Sequence, residues 1–229
     1  MEKLKVVILG DGILGSELKK QTKWNILSRK KNNIDALTFP SWEHLLDDYE
    51  IIINCIANTN TYSNDKDLHW DINYKFVHLL IDYCNNKNKK LIHISTDYIY
   101  SGSKENASED DVPVHLNNWY SYTKLLGDSI VQLLSKNFLI CRLSHKENPF
   151  KYEKAWVDIK TNCDYVDKIA ELVIKLINKN LCGVFNVGTE SKSIYELAIQ
   201  TKKVEPINKP LSAPENTTMS LQKLHNILN

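Results

Sequence analysis

Residues 119 to 124 read WYSYTK, two tyrosines ahead of one lysine, and helix geometry decides which tyrosine that lysine can serve. Side chains four apart on an α-helix stand about 40° apart around the axis and share a face, whereas side chains two apart point nearly opposite ways. Tyr120 therefore meets Lys124, and Tyr122 does not. An ammonium beside a phenol favours the phenolate, so the pair predicts a tyrosine that exchanges protons below its ordinary pKa of ~10. A further hydroxyl, Thr96, closes the apolar run LIHIST. At the carboxyl end of a parallel strand, where ligands bind in open α/β sheets, it could polarise a carbonyl oxygen; its plain alternative is a turn or cap former.

The stretch VVILGDGILGSEL sets Gly10, Gly12 and Gly15 in G-x-G-x-x-G spacing, with Ile13 and Leu14 between the last two, where a strand gives way to a helix. Gly10 permits the tight turn, Gly12 lets the backbone approach a pyrophosphate, and Gly15 lets the helix pack on the strand, so a dinucleotide site is expected. After the second strand the chain reads NILSRKK, without the acidic residue that would bind the ribose 2′-OH of NAD. Ser28 can hydrogen-bond a 2′-phosphate and Arg29 can pair with it bidentately, which favours NADP(H). The rival reading makes Arg29 to Lys31 a solvated loop.

The elements that must position these groups follow from the rhythm of apolar runs. Strands are expected at Val6 to Leu9, Asn25 to Leu27, Ala36 to Phe39, Ile51 to Asn54, Leu91 to Ser95, Phe138 to Arg142 and Val184 to Val187. Helices are expected at Leu14 to Gln21, Ile72 to Asn85, Tyr120 to Leu134, Tyr165 to Asn178, Ile194 to Thr201 and around Leu221 to Leu228. Strands alternating with helices predict an α/β fold, a doubly wound parallel sheet. The 229 residues suit one domain carrying a small lobe. With 29 Lys and Arg against 28 Asp and Glu, no field draws in nucleic acid or an anionic membrane. Five scattered cysteines without a C-x-x-C pair read as reduced thiols of a cytoplasmic protein, no Cys/His cluster has metal-ligand spacing, and the opening residues read as neither signal peptide nor membrane span.

GDGILG, NCIANT, ISTDYIYSG and YSYTK, in that order, resemble the extended short-chain dehydrogenase/reductases, and among them the dTDP-4-dehydrorhamnose reductase (RmlD-like) family. The resemblance implies a Rossmann fold, with residues 1–142, completed by about 163–203, binding the dinucleotide, and 143–162 with 204–229 forming a small substrate lobe. It assigns Thr96, Tyr120 and Lys124 as the catalytic set, Lys124 also holding the nicotinamide ribose. It places Cys55, Ile56, Ala57 and Thr59 along the cofactor, Thr38 and Phe39 beside the adenine, and Asn73 at a recurring helix position whose bland alternative is a solvated or capping amide. Asp97, Tyr98 and His145 join Thr96 on the substrate side. At position 98, similar dehydratases carry a glutamate and similar epimerase-reductases a cysteine; Tyr98 offers neither carboxylate nor low-pKa thiol, which fits a plain reductase.

Only 22 residues separate Arg142 from Tyr165, so the substrate lobe is shorter than in similar proteins, and His145 stands where they carry a tryptophan. His145 and Trp156 are expected to line the remaining pocket, with a loop histidine and a core tryptophan as the alternatives. The reading that results is an NADPH-dependent reductase of a nucleotide-linked 4-keto-6-deoxysugar. A regulatory NADP-binding subunit and an epimerase that retains its cofactor are the rivals. A nucleotide sugar is the expected partner, and a homodimer is compatible with the sequence.

Overall fold

In the computed structural model, which describes residues 4–228, the apolar runs become strands β1 (Val6–Leu9), β2 (Asn25–Leu27), β3 (Ile51–Asn54), β4 (Lys90–Thr96) and β5 (Phe138–Leu143). Four short strands follow, β6 (His145–Lys146), β7 (Lys154–Trp156), β8 (Lys160–Thr161) and β9 (Asp164–Tyr165), then β10 (Gly183–Val187), β11 (Glu205–Ile207) and β12 (Asn216–Thr217). The helices are α1 (Ile13–Thr22), α2 (Arg29–Asn32), α3 (Lys66–Trp70), α4 (Phe76–Asn86), α5 (Trp119–Leu134), α6 (Val166–Asn178), α7 (Ile194–Ala198) and α8 (Gln222–Leu228).

Six strands form one parallel sheet in the order β10-β5-β4-β3-β1-β2. Both faces of β1 are apolar because both are covered: Val6 and Ile8 belong to the core under α6, Val7 and Leu9 to the core under α4. The strand order reverses between β1 and β3, and the crevice beyond their carboxyl ends receives Gly10 and Cys55, the residues that follow each strand. Among the described residues no helix is long and apolar enough to cross a membrane.

Residues 36 to 39, expected as a strand, instead open a 3-10 helix, Ala36–Ser41. The Asp35 carboxylate accepts the Leu37 N–H at 3.0 Å and starts the turn, and Pro40 brings no N–H to a sheet ladder. Phe39 turns inward onto Trp42, Phe76 and Tyr83, with ring centroids 4.8, 5.5 and 5.9 Å away. The helix expected from Ile72 begins earlier, since α3 runs through a π-helical turn, Asp71–Lys75, into α4.

Arg142 in β5 anchors α5, the helix that carries Tyr120 and Lys124. Its guanidinium forks onto Asp128 of α5 (3.0 and 2.9 Å), and the two side chains are 2% and 0% exposed. It also donates to the Tyr100 hydroxyl, which donates to the Asn186 side chain in β10 at 3.0 Å. The small lobe has its own core, built from Phe150, Ile159, Cys163, Tyr165, Leu197 and Val204, under the parallel pairs β7·β11 and β8·β12. The segment 163–203 divides: α6 and β10 join the main sheet, whereas α7 packs with the lobe.

Candidate active site

The glycine turn takes the shape its spacing predicts. Gly10 has φ +94°, in the left-handed region that side chains disfavour, and its N–H donates to Leu27 O at 2.8 Å. A Cβ on Gly15 would stand 2.0 Å from the Gly10 carbonyl oxygen, so only glycine lets α1 start this close to the strand. At Gly12 a Cβ would meet nothing within 4 Å, and no side chain caps α1, so its first-turn N–H groups have no side-chain acceptor at the cap.

Along the glycine turn runs a cleft of about 500 Å³, lined by Gly12, Ile13, Leu14, Gly15, Cys55, Ala57, Thr59, Thr96, Asp97, Tyr98, Tyr120, Lys124 and His145. Most of the residues read from the sequence as functional thus meet in one place. A neighbouring cleft of about 660 Å³ lies against the lobe, and Trp156, Phe150 and Tyr62 are among its walls. The two share Thr59, Thr61, Tyr98, Lys146 and Tyr152. Thr61, Lys146 and Tyr152 were not singled out in the sequence; Lys146, three residues beyond the buried end of β5, carried a positional signal, and the other two lie on loops without one.

Tyr120 and Lys124 both face the cleft, while the Tyr122 ring packs on His115 and Trp119 at 5.2 and 5.8 Å. The expected pull of the ammonium on the phenol is not realised. Lys124 donates to the Ile94 carbonyl at 2.6 Å, and burial lowers its pKa to about 8, Asp128 pulling the other way. Burial pushes the Tyr120 phenol up to about 12, against the Thr96 hydroxyl, which lowers it. Desolvation outweighs the helix-face pairing, and Tyr120 stays protonated at neutral pH. Thr96 is also a cap: its hydroxyl accepts the Tyr98 N–H at 3.2 Å. The Tyr98 ring stands edge-on to Tyr120 with centroids 5.9 Å apart, and burial raises its pKa further.

Other expected residues lie outside the cleft. Ser28 is buried and caps α2 by accepting the Lys31 N–H at 3.3 Å; Arg29 is exposed and pairs with Asp35 at 2.8 Å. The Thr38 hydroxyl donates to Asp35 O at 3.3 Å, and Phe39, 1% exposed, leaves no ring face for an adenine. Ile56 packs against Gly10 from beneath. Asn73 is neither solvated nor a cap: buried in the π-helical turn, it accepts the Asn58 N–H (2.8 Å) and donates to Asn58 O (3.0 Å) and to the Thr123 hydroxyl (3.1 Å). It ties the strand-end loop to α5 and so positions the cleft wall. Burial pushes the Cys55 thiol up to about 12, which excludes it as a nucleophile at neutral pH. His145 is half-buried with Nδ1 unpartnered, and burial lowers its pKa to about 4, so it faces the cleft neutral. Among the described residues no cluster suits a metal ion.

Asp97 joins the lobe to the end of β4, accepting hydroxyls from Thr161 (3.1 Å) and Thr217 (2.8 Å). Burial pushes its carboxyl up to about 6, with Thr217, Thr161 and Lys146 pulling it back. A carboxyl raised on folding contributes its full stability below its unfolded pKa and loses it as pH rises through the folded value. Unfolding free energies of the parent, compared with those of Asp97→Asn, should therefore fall behind between pH ~4 and ~6 by on the order of 2–3 kcal/mol and then level off. A difference that is flat in pH would contradict this.

A Rossmann sheet with Thr96, Tyr120 and Lys124 on the rim of its switch-point crevice defines a nicotinamide-dependent oxidoreductase of the short-chain dehydrogenase/reductase class. The chain belongs to the RmlD family: the model of the RmlD substrate binding domain matches residues 4–146, more than half of its length. The spore coat polysaccharide biosynthesis protein SpsK of Bacillus subtilis is 26% identical over 220 residues, 85% of this chain and 77% of the relative. A dTDP-4-dehydrorhamnose reductase structure from Clostridium acetobutylicum superposes with TM-score 0.84 at 21% identity, over 99% of this chain and 93% of that one. A second, from Bacillus anthracis in complex with NADP, gives 0.81 at 23%, over 99% and 92%.

Proposed function

We propose that the chain reduces a nucleotide-linked 4-keto-6-deoxysugar with NADPH, a step of deoxysugar and polysaccharide biosynthesis. The observation that carries this reading is one cleft holding the glycine turn, Thr96, Tyr120 and Lys124 and opening at Tyr98 into a second cleft against the lobe. The uncapped α1 terminus and the open space at Gly12 fit a pyrophosphate, so these residues suit a dinucleotide. A dihydronicotinamide held by the glycine turn and Lys124 would supply a hydride for the sugar C4 ketone. Tyr120, protonated at neutral pH, donates its proton to the alkoxide, and the Thr96 hydroxyl stabilises the charge that develops there. Lys124, with Ile94 O as its protein partner, holds the nicotinamide ribose. Tyr98, its phenol raised by burial, holds too little phenolate at neutral pH to abstract C3 or C5 protons.

The test supplies dTDP- and UDP-linked 4-keto-6-deoxysugars from a 4,6-dehydratase in place, follows NADPH oxidation and identifies the product by NMR. Oxidation with a new C4–H is expected. In D₂O without NADPH, no deuterium should enter C3 or C5; incorporation at a catalytic rate would make the protein an epimerase as well.

Cofactor choice is read at Arg29. NADPH should bind the parent more tightly than NADH, and Arg29→Ala should erase up to about 1.5–3 kcal/mol of that difference, the value of a charge-assisted hydrogen bond. The exposed pairing of Arg29 with Asp35 places the loss toward the lower end. Titrations showing equal affinity of the parent for both cofactors would contradict this assignment.

A further inference from the structure

The lysine at the junction of the two clefts has no hydrogen-bonded or ion-paired partner among the described residues. Lys146 lines both cavities, beside Tyr98, yet it forms no ion pair and donates no side-chain hydrogen bond among the described residues. The other charged groups of these walls are engaged. Lys154 pairs with Glu205 at 3.2 Å, Glu153 with Lys202, and Glu147 with Lys151 at 3.6 Å. Asp97 feels the Lys146 charge, but its carboxylate is taken by the hydroxyls of Thr161 and Thr217. His145, the preceding residue, lines only the cofactor-side cleft, and its Nδ1 is also unpartnered. A half-buried ammonium that makes no ion pair or hydrogen bond among the described residues, with the Asp97 charge near but out of contact, gains when a ligand brings an anion into contact with it.

We infer that Lys146 is the anion-binding residue of the substrate cleft and holds a negatively charged group of the nucleotide sugar, either an acidic substituent on the ring or the diphosphate. This rests on the nucleotide-sugar reading of the site, but its test does not read turnover. Calorimetric titrations compare UDP-glucose with UDP-glucuronate, and dTDP-glucose with dTDP-glucuronate; each pair differs only by a carboxylate at C6. The proteins are the parent, Lys146→Gln and Lys146→Arg, and thermal melts of the same samples report that each is folded. If the ring substituent is the anion, Lys146→Gln weakens the glucuronates about tenfold to a hundredfold and leaves the glucose forms nearly unchanged, and the substrate is then a nucleotide-linked sugar acid in place of the 6-deoxysugar proposed above. If the diphosphate is the anion, all four ligands weaken alike. In both cases Lys146→Arg retains most of the affinity. The inference is overturned if Lys146→Gln binds every ligand as tightly as the parent, or if the parent binds NADPH normally and none of the four sugars.

Discussion

Replacing Tyr120 by phenylalanine is expected to lower kcat by roughly two to four orders of magnitude while leaving NADPH affinity nearly unchanged, because the phenol acts in the transition state and not in ground-state binding. Tyr122→Phe, two residues on, should do little, since that ring is packed against His115 and Trp119 and touches neither cleft. Lys124→Met should damage both turnover and cofactor binding, because the ammonium is the group assigned to the ribose. Steady-state kinetics and NADPH titrations on the three variants separate these outcomes. A parent that binds NADPH but turns over none of the keto-sugars offered, with neither tyrosine substitution changing any measured property, would instead favour a regulatory subunit that carries the motif without using it.

The second large effect concerns the support of that helix. Asp128→Ala leaves the Arg142 guanidinium buried without its carboxylate, and breaking such a pair costs about 3–5 kcal/mol. For a chain of this length that corresponds to a fall in Tm of roughly 6–20 °C. Replacing both partners by apolar residues of similar volume should recover much of the loss, because the penalty lies in the unpaired charge more than in the missing contact. A thermal melt of Asp128→Ala that matches the parent would show that the pair does not hold α5 to the sheet.

The main sheet was legible because its strands are short, apolar on both faces and followed by helical periodicity; β1, β2, β3, β4, β5 and β10 all lie where the pattern put them. Residues 36 to 39 misled because an apolar run of four reads equally as a strand or as one buried turn, and the choice fell to Asp35, Pro40 and the aromatic cluster that Phe39 joins. Local spacing also identified the face shared by Tyr120 and Lys124. It could not say where a long side chain ends, and the Ile94 carbonyl, thirty residues earlier in the chain, decides that. The same limit hid the roles of Asn73 and Lys146. One bridges a loop to a helix through partners distant in sequence, and the other owes its character to making no ion pair or hydrogen bond among the described residues.

The most direct test of the account transfers a label. NADPH deuterated at the reactive C4 position is offered with a 4-keto-6-deoxysugar linked to dTDP or UDP, and the product is examined by NMR. The cleft that joins Thr96, Tyr120 and Lys124 to the glycine turn predicts one deuterium at sugar C4 for each NADPH oxidised. Tight binding of the labelled cofactor without transfer to any such sugar would contradict it.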